Sequence, residues 1–432
     1  MKKAASFALG CKVNQYESEA IAELFAEKGY EIVGIDEEAD VYVINTCTVT
    51  NFGDKKSRQL IRKVKRQNEN AIVAVVGCYA QTAPKELMEI AGVNLVIGTK
   101  DRAQIVEMVE QYDRANGVEN HVSDIMKERV FEPLSIQKLA NRTRAYLKIQ
   151  DGCSQYCSYC ITPYARGPIR SREPQEVVAE VKRLAENGFK EVVLTGIHVA
   201  SYGKDRRDTS LLDILKQVHE VEGIERIRFS SIEPNVVTEE FAQTMAALPK
   251  VCDHFHLSLQ SGCDKTLKEM NRKYDTEKYR QAVATLRKYL PKVALTTDII
   301  VGFPGETEED FRESYAFAEE IGFAKIHVFP YSPKRGTPAA ARKDQLLNAV
   351  KSERSHTLIQ LSDRMAADFL ADAVGTDAEV LYERAVGDGI YEGHTTNYMK
   401  VHGRSEADLT NRIAKTHITR AEGEMLFGDV EV

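Results

Sequence analysis

Two rhythms of apolar and polar positions alternate along the first quarter of the chain. Short unbroken apolar runs, in AASFALG, VYVINT, AIVAVVG and VNLVIG, read as buried strands. Between and after them, SEAIAELFAEKG, DKKSRQLIRKVKRQ, PKELMEIA and RAQIVEMVEQY carry apolar residues at helical spacing. This alternation predicts βαβ units on a parallel sheet, over residues 1–115. A more polar stretch, 116–138, reads as a linker. The rhythm then restarts over 139–370. RAYLKIQ, EVVLTGIHV, RIRFSSI, HFHLSLQ, LTTDIIVGF and KIHVFPYS are six further strands, separated by helical segments such as PQEVVAEVKRLAENG. Six βα units predict an open or closed α/β barrel. A long helical pattern follows, at about Leu346–Ala371. Residues 371–432 change character, with short, glycine-punctuated, β-like runs that predict a small β-barrel. The fold class is thus multidomain α/β with a small all-β end.

At 432 residues the chain is too long for one hydrophobic core. Its 43% hydrophobic and 28% charged residues are ordinary for a globular protein. A net charge of −7 supplies no global positive field, so any RNA contact must rest on local patches. The apolar run near the N-terminus stops within ten residues, a poor fit to a signal peptide. No stretch approaches the roughly 18 apolar residues of a membrane helix. The expectation is a cytoplasmic protein without a membrane partner, in which eight cysteines point to metal or catalysis rather than disulfides.

The most pointed chemistry lies in DGCSQYCSYCITP. Cys153, Cys157 and Cys160 follow the spacing C-x3-C-x2-C, in the loop that leaves the first barrel strand. Loops at strand C-termini are where such barrels place their sites. A closed zinc site takes four ligands, and so does a four-iron cluster. Three thiolates leave one iron open for a substrate or cofactor. The other readings are zinc with a distant fourth ligand and unmetallated thiols.

Three more cysteines stand apart in sequence but in like settings. Cys11 follows FALG, Cys47 follows YVINT and Cys78 follows VAVVG, each at the end of a strand of the first sheet. Strand C-termini of a parallel sheet share one edge, so the three are expected to converge. The plain alternative is that each is a buried small hydrophobe. Cys252 and Cys263 fit no motif and read as structural.

The spacing at Cys153–Cys160, with Tyr159 before the last cysteine, resembles the radical S-adenosylmethionine (SAM) enzymes. The resemblance implies that the open iron holds SAM and that reductive cleavage of SAM yields a 5′-deoxyadenosyl radical. It also implies that Tyr159, Thr195, Gly196, Glu233, Ser258, Gln260 and Asp298 surround SAM, with Arg272 pairing its carboxylate. A cysteine-bearing α/β domain, a radical SAM (β/α)6 partial barrel and a small β-barrel together resemble the methylthiotransferase family over essentially the whole chain. Membership implies a second [4Fe-4S] cluster on Cys11, Cys47 and Cys78, and a TRAM-like RNA-binding barrel at the C-terminus. GCKVNQYESE and NTCTVTNFGDKKSRQ look most like the branch that methylthiolates C2 of N6-threonylcarbamoyladenosine at tRNA position 37. Isopentenyladenosine in tRNA and a ribosomal-protein aspartate are the alternatives within the family, and a non-catalytic iron–sulfur or zinc RNA-binding protein is the alternative outside it.

DKKSRQLIRKVKRQ holds seven basic residues against one acidic. Lys55, Arg58, Arg62, Lys65 and Arg66 recur at helical spacing, which predicts one cationic face for RNA phosphates or, equally simply, a solvated face. Arg166, Arg170 and Arg172 form a second basic set, open to RNA contact, SAM contact or structural ion pairs. The C-terminal 371–432 has six basic against twelve acidic residues, so RNA binding there would use a local face such as Arg412 and Lys415. The implied partners are a tRNA anticodon stem-loop whose target base is splayed out, an electron-donor protein and a sulfur source.

Overall fold

Alternate residues of the first apolar runs feed two different cores, which is why those runs are unbroken. In the computed structural model, which describes residues 1–49, 51–136 and 143–431, a parallel sheet is built from β1 (Lys3–Ala8), β2 (Glu31–Ile32), β3 (Val41–Thr46), β4 (Ile72–Gly77), β5 (Leu95–Val96) and β6 (Glu119–Asn120). Its order is β2-β1-β3-β4-β5-β6. Every residue of β3 is buried. Tyr42 and Ile44 pack on one face, Val41 and Val43 on the other. Helix α1 (Lys12–Glu27) covers one side, and α2 (Asn51–Gln67) lies against β3 and β4.

The second unit starts with β7 (Arg144–Asp151), followed by the short β8 (Arg170–Ser171) and then β9 (Glu191–Gly196), β10 (Arg226–Phe229), β11 (His254–His256), β12 (Ala294–Val301) and β13 (Lys325–Pro330). Its strands pair as β10-β9-β7-β8 and β11-β12-β13. Single parallel bridges, Ile227 to Val251 and Ile232 to Leu257, join the two sheets. The six expected strands therefore form a partial barrel, with β7 and β13 unpaired to each other among the described residues. The antiparallel β8 is too short to show in the apolar pattern.

The long helix Asn348–Ala371 packs on β13 and leads into a closed barrel of β14 (Asp377–Gly387), β15 (Ile390–Thr395), β16 (Lys400–Arg404), β17 (Arg412–Glu422) and β18 (Met425–Val430). That barrel has its own core around Val380, Tyr382, Val401 and Ile418. It docks on the partial barrel through Arg226 and Arg228, whose guanidinium groups donate to backbone carbonyls of Glu379, His394, Thr395 and Thr396. Among the described residues no helix is long and apolar enough to cross a membrane. The expected boundary between linker and second unit, at 138/139, lies outside the described residues.

Candidate functional site: two cysteine trios at adjoining sheet edges

Strands β1, β3 and β4 are neighbours, and their parallel register brings Ala8 opposite Asn45 and Thr46 opposite Gly77. Each strand therefore hands over a cysteine at the same edge: Cys11 at the start of α1, Cys47 just past β3, and Cys78 opening α3 (Cys78–Thr82). The approach is close enough that a side chain at Gly10 would meet Cys47, its Cβ 2.6 Å from Cβ and 2.7 Å from Sγ. Gly10 also holds a φ of +100°, which a side chain would strain. Cys11 and Cys78 lie within each other's field and that of Cys47. Burial, with Cys78 adding to it, pushes the Cys47 thiol up to about 12.

The second trio occupies the loop after β7. Gly152 makes the turn possible: its φ is +74°, and a Cβ there would sit 1.9 Å from the carbonyl oxygen of Pro168. Gln150 holds the loop from below, its amide donating to the carbonyls of Asp151 and Gly152 at 2.7 Å each. Cys157 is buried, and Cys153 and Cys160 are half-buried. The backbone N–H of Thr162 donates to Cys160 Sγ at 3.4 Å, and Arg272 donates to Cys157 Sγ at 3.2 Å. Burial raises the Cys153 thiol to about 12, with Cys160 and Cys157 adding to the rise. Thiols this costly to ionise become thiolates when a bound metal supplies the compensating charge.

Within each trio the thiols feel one another's charge. Yet among the described residues no three His, Cys, Asp or Glu side chains crowd closely enough to grip a single ion. A four-iron cluster takes one thiolate per iron rather than three on one ion. Donor type and number fit two such clusters, each with one iron left without a protein thiolate.

A buried ionic core ties the trios together. The helix Thr162–Arg166 begins two residues past Cys160 and ends on Arg166, whose Nε donates to Cys78 Sγ at 3.1 Å. Arg166 also pairs with Glu17 of α1 and donates to Asn14 Oδ1 at 2.6 Å. Glu17 accepts from Lys148 of β7 at 2.7 Å, and Lys148 also reaches Asp151 at 2.7 Å. All of these side chains are buried. Arg170 pairs with Asp151 at 3.3 Å and Arg172 with Glu180 at 2.6 Å. The whole basic set 166, 170 and 172 is thus buried in ion pairs rather than presented to RNA.

The residues expected around SAM are brought to the same barrel end, with partners of their own. Arg272 bridges Cys157 Sγ and Glu233, the latter at 2.8 Å, and its Nε donates to the Tyr274 hydroxyl. Glu233 also lies 3.2 Å from His198 Nε2. Tyr159 is half-buried beside Cys157 and Arg272. Thr195 and Gly196 end β9, where a Cβ on Gly196 would stand 2.7 Å from Gln150 Oε1. Ser258 is buried, its carbonyl accepting from Tyr274. Gln260 has a φ of +70°, and its backbone N–H donates to the Asp298 carbonyl at 2.8 Å. The Asp298 carboxylate lies 3.3 Å from His256 Nε2.

The expected cationic face of α2 divides. Lys55, Arg62 and Arg66 are exposed, and Lys56, Arg62, Lys63 and Arg66 border a shallow depression with Phe7 and Leu9. Arg58 instead donates to the Tyr79 hydroxyl at 2.8 Å and Lys65 to the Ala71 carbonyl at 3.2 Å. On β17, Arg412 is exposed, while Lys415 pairs with Asp377 at 2.8 Å and Glu431 at 3.1 Å. Cys252 and Cys263 are buried.

Residues 147–318 match the radical SAM superfamily, and residues 3–98 match the uncharacterized protein family UPF0004. The chain is 47% identical to the threonylcarbamoyladenosine tRNA methylthiotransferase MtaB of Bacillus subtilis, over 98% of this chain and 94% of that one. Identity to the protein of the same name from Aquifex aeolicus is 39%, over 88% and 92% of the two chains. A tRNA-2-methylthio-N(6)-dimethylallyladenosine synthase of Moorella thermoacetica is 36% identical, over 98% and 96%. Among solved structures, the radical SAM methyltransferase TsrM of Kitasatospora setae superposes with a TM-score of 0.57 at 17% identity, covering 79% of this chain and 74% of that one, a likeness of fold.

Proposed function

The chain belongs to the radical SAM methylthiotransferase family, and from that membership we propose that it replaces the C2 hydrogen of N6-threonylcarbamoyladenosine, at position 37 of tRNA, with a methylthio group. The observation that carries the reading is the pair of cysteine trios joined through Arg166. An enzyme that only cleaved SAM would need one trio. Sulfur insertion calls for a second centre held at a fixed place relative to the first. The threonylcarbamoyl substrate is favoured over the prenylated one by identity, 47% to the relative named for the former against 36% to the relative named for the latter.

In this reading Cys153, Cys157 and Cys160 hold the SAM-binding cluster and Cys11, Cys47 and Cys78 a second one. When bound, these groups supply a radical strong enough to take an unactivated aromatic hydrogen, and the sulfur and methyl that replace it. The protein's own residues bind, orient and exclude water. Tyr159, Thr195, Gly196, Ser258, Gln260 and Asp298 line the place of SAM. Glu233 and Arg272 belong to the same set, with Arg272 pairing the SAM carboxylate while it donates to Cys157 Sγ and is held by Glu233. Lys55, Arg58, Arg62, Lys65 and Arg66 of α2 and Arg412 and Lys415 of the small barrel are assigned to RNA phosphates, the exposed members first. The division into units at 115, 138 and 370, a cytoplasmic location and an electron-donor protein belong to the same reading.

The test is nucleoside mass spectrometry on tRNA from cells lacking the gene. The 2-methylthio group is expected to disappear from threonylcarbamoyladenosine and return on complementation; an unchanged nucleoside refutes the reading. A second prediction concerns Cys47. Cys47→Ala, or Gly10→Ala pressing on it, lowers iron from about eight to about four per chain. SAM cleavage then stays within about twofold and methylthio product is lost, since the Cys153 loop rests on separate strands. Anaerobic iron analysis with both product assays checks it.

A further inference from the structure

The open side of the partial barrel holds a cleft of about 650 Å³, of a size for a small ligand. It runs from Lys12, directly after Cys11, past β11, β12 and β13 to Tyr398 of the small barrel. Its lining is polar in a particular way. His254 and His256 share the Thr296 hydroxyl at 3.1 and 3.0 Å, and His327 stacks on His256 with ring centres 5.8 Å apart. The lining lysines Lys325 and Lys400 lie against carboxylates, and Lys12 does not. Asp298 faces His256, Glu424 pairs with Lys325 at 2.6 Å, and Lys400 lies 3.8 Å from Glu392. Lys12 has no ion pair among the described residues; its ammonium stands 5.9 Å from the Tyr146 ring centre. Lys12, next to Cys11, thus lines the cleft without an ion pair among the described residues, in the field of the Arg144 and Arg228 cations and of the Glu191 carboxylate.

Resting on the function proposed above, we propose that Lys12 determines substrate specificity by binding the carboxylate of the threonylcarbamoyl substituent inside this cleft. In adenine, C2 and the N6-bearing carbon flank the same ring nitrogen. A base that presents C2 beside Cys11 therefore projects its N6 substituent into the space next to it. The carboxylate meets the free ammonium, and the hydroxyl and ureido groups meet imidazole and hydroxyl partners. A prenyl group would desolvate Lys12 and the imidazoles and return no hydrogen bond. The cleft therefore selects between the two tRNA substrates of the family by charge.

The test uses the reconstituted enzyme and three synthetic anticodon stem-loops, carrying threonylcarbamoyladenosine, its methyl ester, or isopentenyladenosine at position 37. Equilibrium binding is read by fluorescence anisotropy and methylthio product by mass spectrometry. For the wild type, the ester is expected to bind about ten- to a hundredfold more weakly than the acid. Lys12→Met is expected to weaken the acid to the level of the ester and leave the ester unchanged, while Lys12→Arg restores the difference. Iron content confirms that Cys11 still holds its place. Equal wild-type binding of acid and ester overturns the inference without involving any variant. A Lys12→Met loss shared equally by acid and ester also overturns it, because Lys12 then contacts the RNA backbone. If the wild type modifies only the isopentenyl stem-loop, it is the proposed substrate that fails.

Discussion

Replacing Cys157 with alanine abolishes 5′-deoxyadenosine formation by the reduced protein, while Cys47→Ala leaves it running. The contrast follows from how each thiol is held. Cys157 is buried in the loop after β7, with Arg272 donating to its sulfur and Glu233 fixing Arg272 from behind. On the proposed assignment, removing the thiol takes away one of three iron ligands and strands the guanidinium against an apolar methyl. Two remaining thiols cannot keep a four-iron cluster that already lacks a fourth protein ligand. Loss of SAM cleavage is therefore complete rather than graded, and iron falls from about eight to about four per chain. The same outcome is expected for Cys153→Ala and Cys160→Ala. SAM cleavage retained at anything near the wild-type rate in these variants would remove the loop from the radical-generating role. Arg272→Lys is the milder companion: it keeps the charge but loses the fork that spans Cys157 and Glu233, so cleavage slows without iron being lost.

Both trios were legible in the sequence, for different reasons. The C-x3-C-x2-C loop is local, and its spacing alone limits where the sulfurs can go. Cys11, Cys47 and Cys78 became legible through topology, because each ends an apolar run and parallel strands end on one edge. What joins the trios was not legible as a contact. Lys148 and Asp151 sit in β7, Glu17 in α1 and Arg166 in a five-residue helix, and no periodicity relates charges on separate elements. One signal was available: Glu17 falls between Val13 and Ile21 at spacing i, i+4, on the buried face of α1. An acid on an apolar stripe implies a buried cation. The contacts of Arg272 with Cys157 and Glu233 were likewise not legible, because the three lie on separate elements with no common spacing. The face of α2 shows the limit of helical spacing. Asp54, Ser57, Ile61 and Val64 take the inward side, and Tyr79 and Ala71 draw Arg58 and Lys65 away from the exposed stripe. The closing pair of the small barrel, β16 against β18 in parallel, also lies beyond an alternation of apolar and polar residues.

Glu17→Gln is expected to destabilise the protein by about 3–5 kcal/mol, the scale for breaking a buried ion pair from one side. Glu17 is fully buried and faces three cations: Arg102, Arg166 and Lys148. Arg102 keeps Glu132, and Lys148 keeps Asp151. Arg166 keeps one carboxylate, Asp151 at a longer 3.6 Å, besides its bonds to Asn14 and Cys78. The neutral amide leaves excess positive charge where water cannot reach. Because α1 belongs to the first sheet and Lys148 to the second unit, the damage falls on the junction that sets the distance between the trios. A shift there of about 1 Å is enough to cost on the order of a hundredfold in a step that depends on alignment. Methylthio product per 5′-deoxyadenosine should therefore fall far more than SAM cleavage itself, a split that general unfolding would not produce. The pH dependence gives an independent check. Burial acts to raise the Glu17 pKa, but the charges of Arg102, Arg166 and Lys148 outweigh it and hold the carboxyl well below the usual range. A depressed folded-state pKa contributes stability that is fully present above the unfolded value, about 4.3, and is lost as pH falls toward the folded one. Wild-type stability, followed by denaturant midpoints, should decline through the acid range more steeply than that of Glu17→Gln, which has no such proton to take up. Parallel declines in the two proteins, or an unchanged midpoint at neutral pH, would show that the junction is held by its apolar contacts and that Glu17 is a passenger in it.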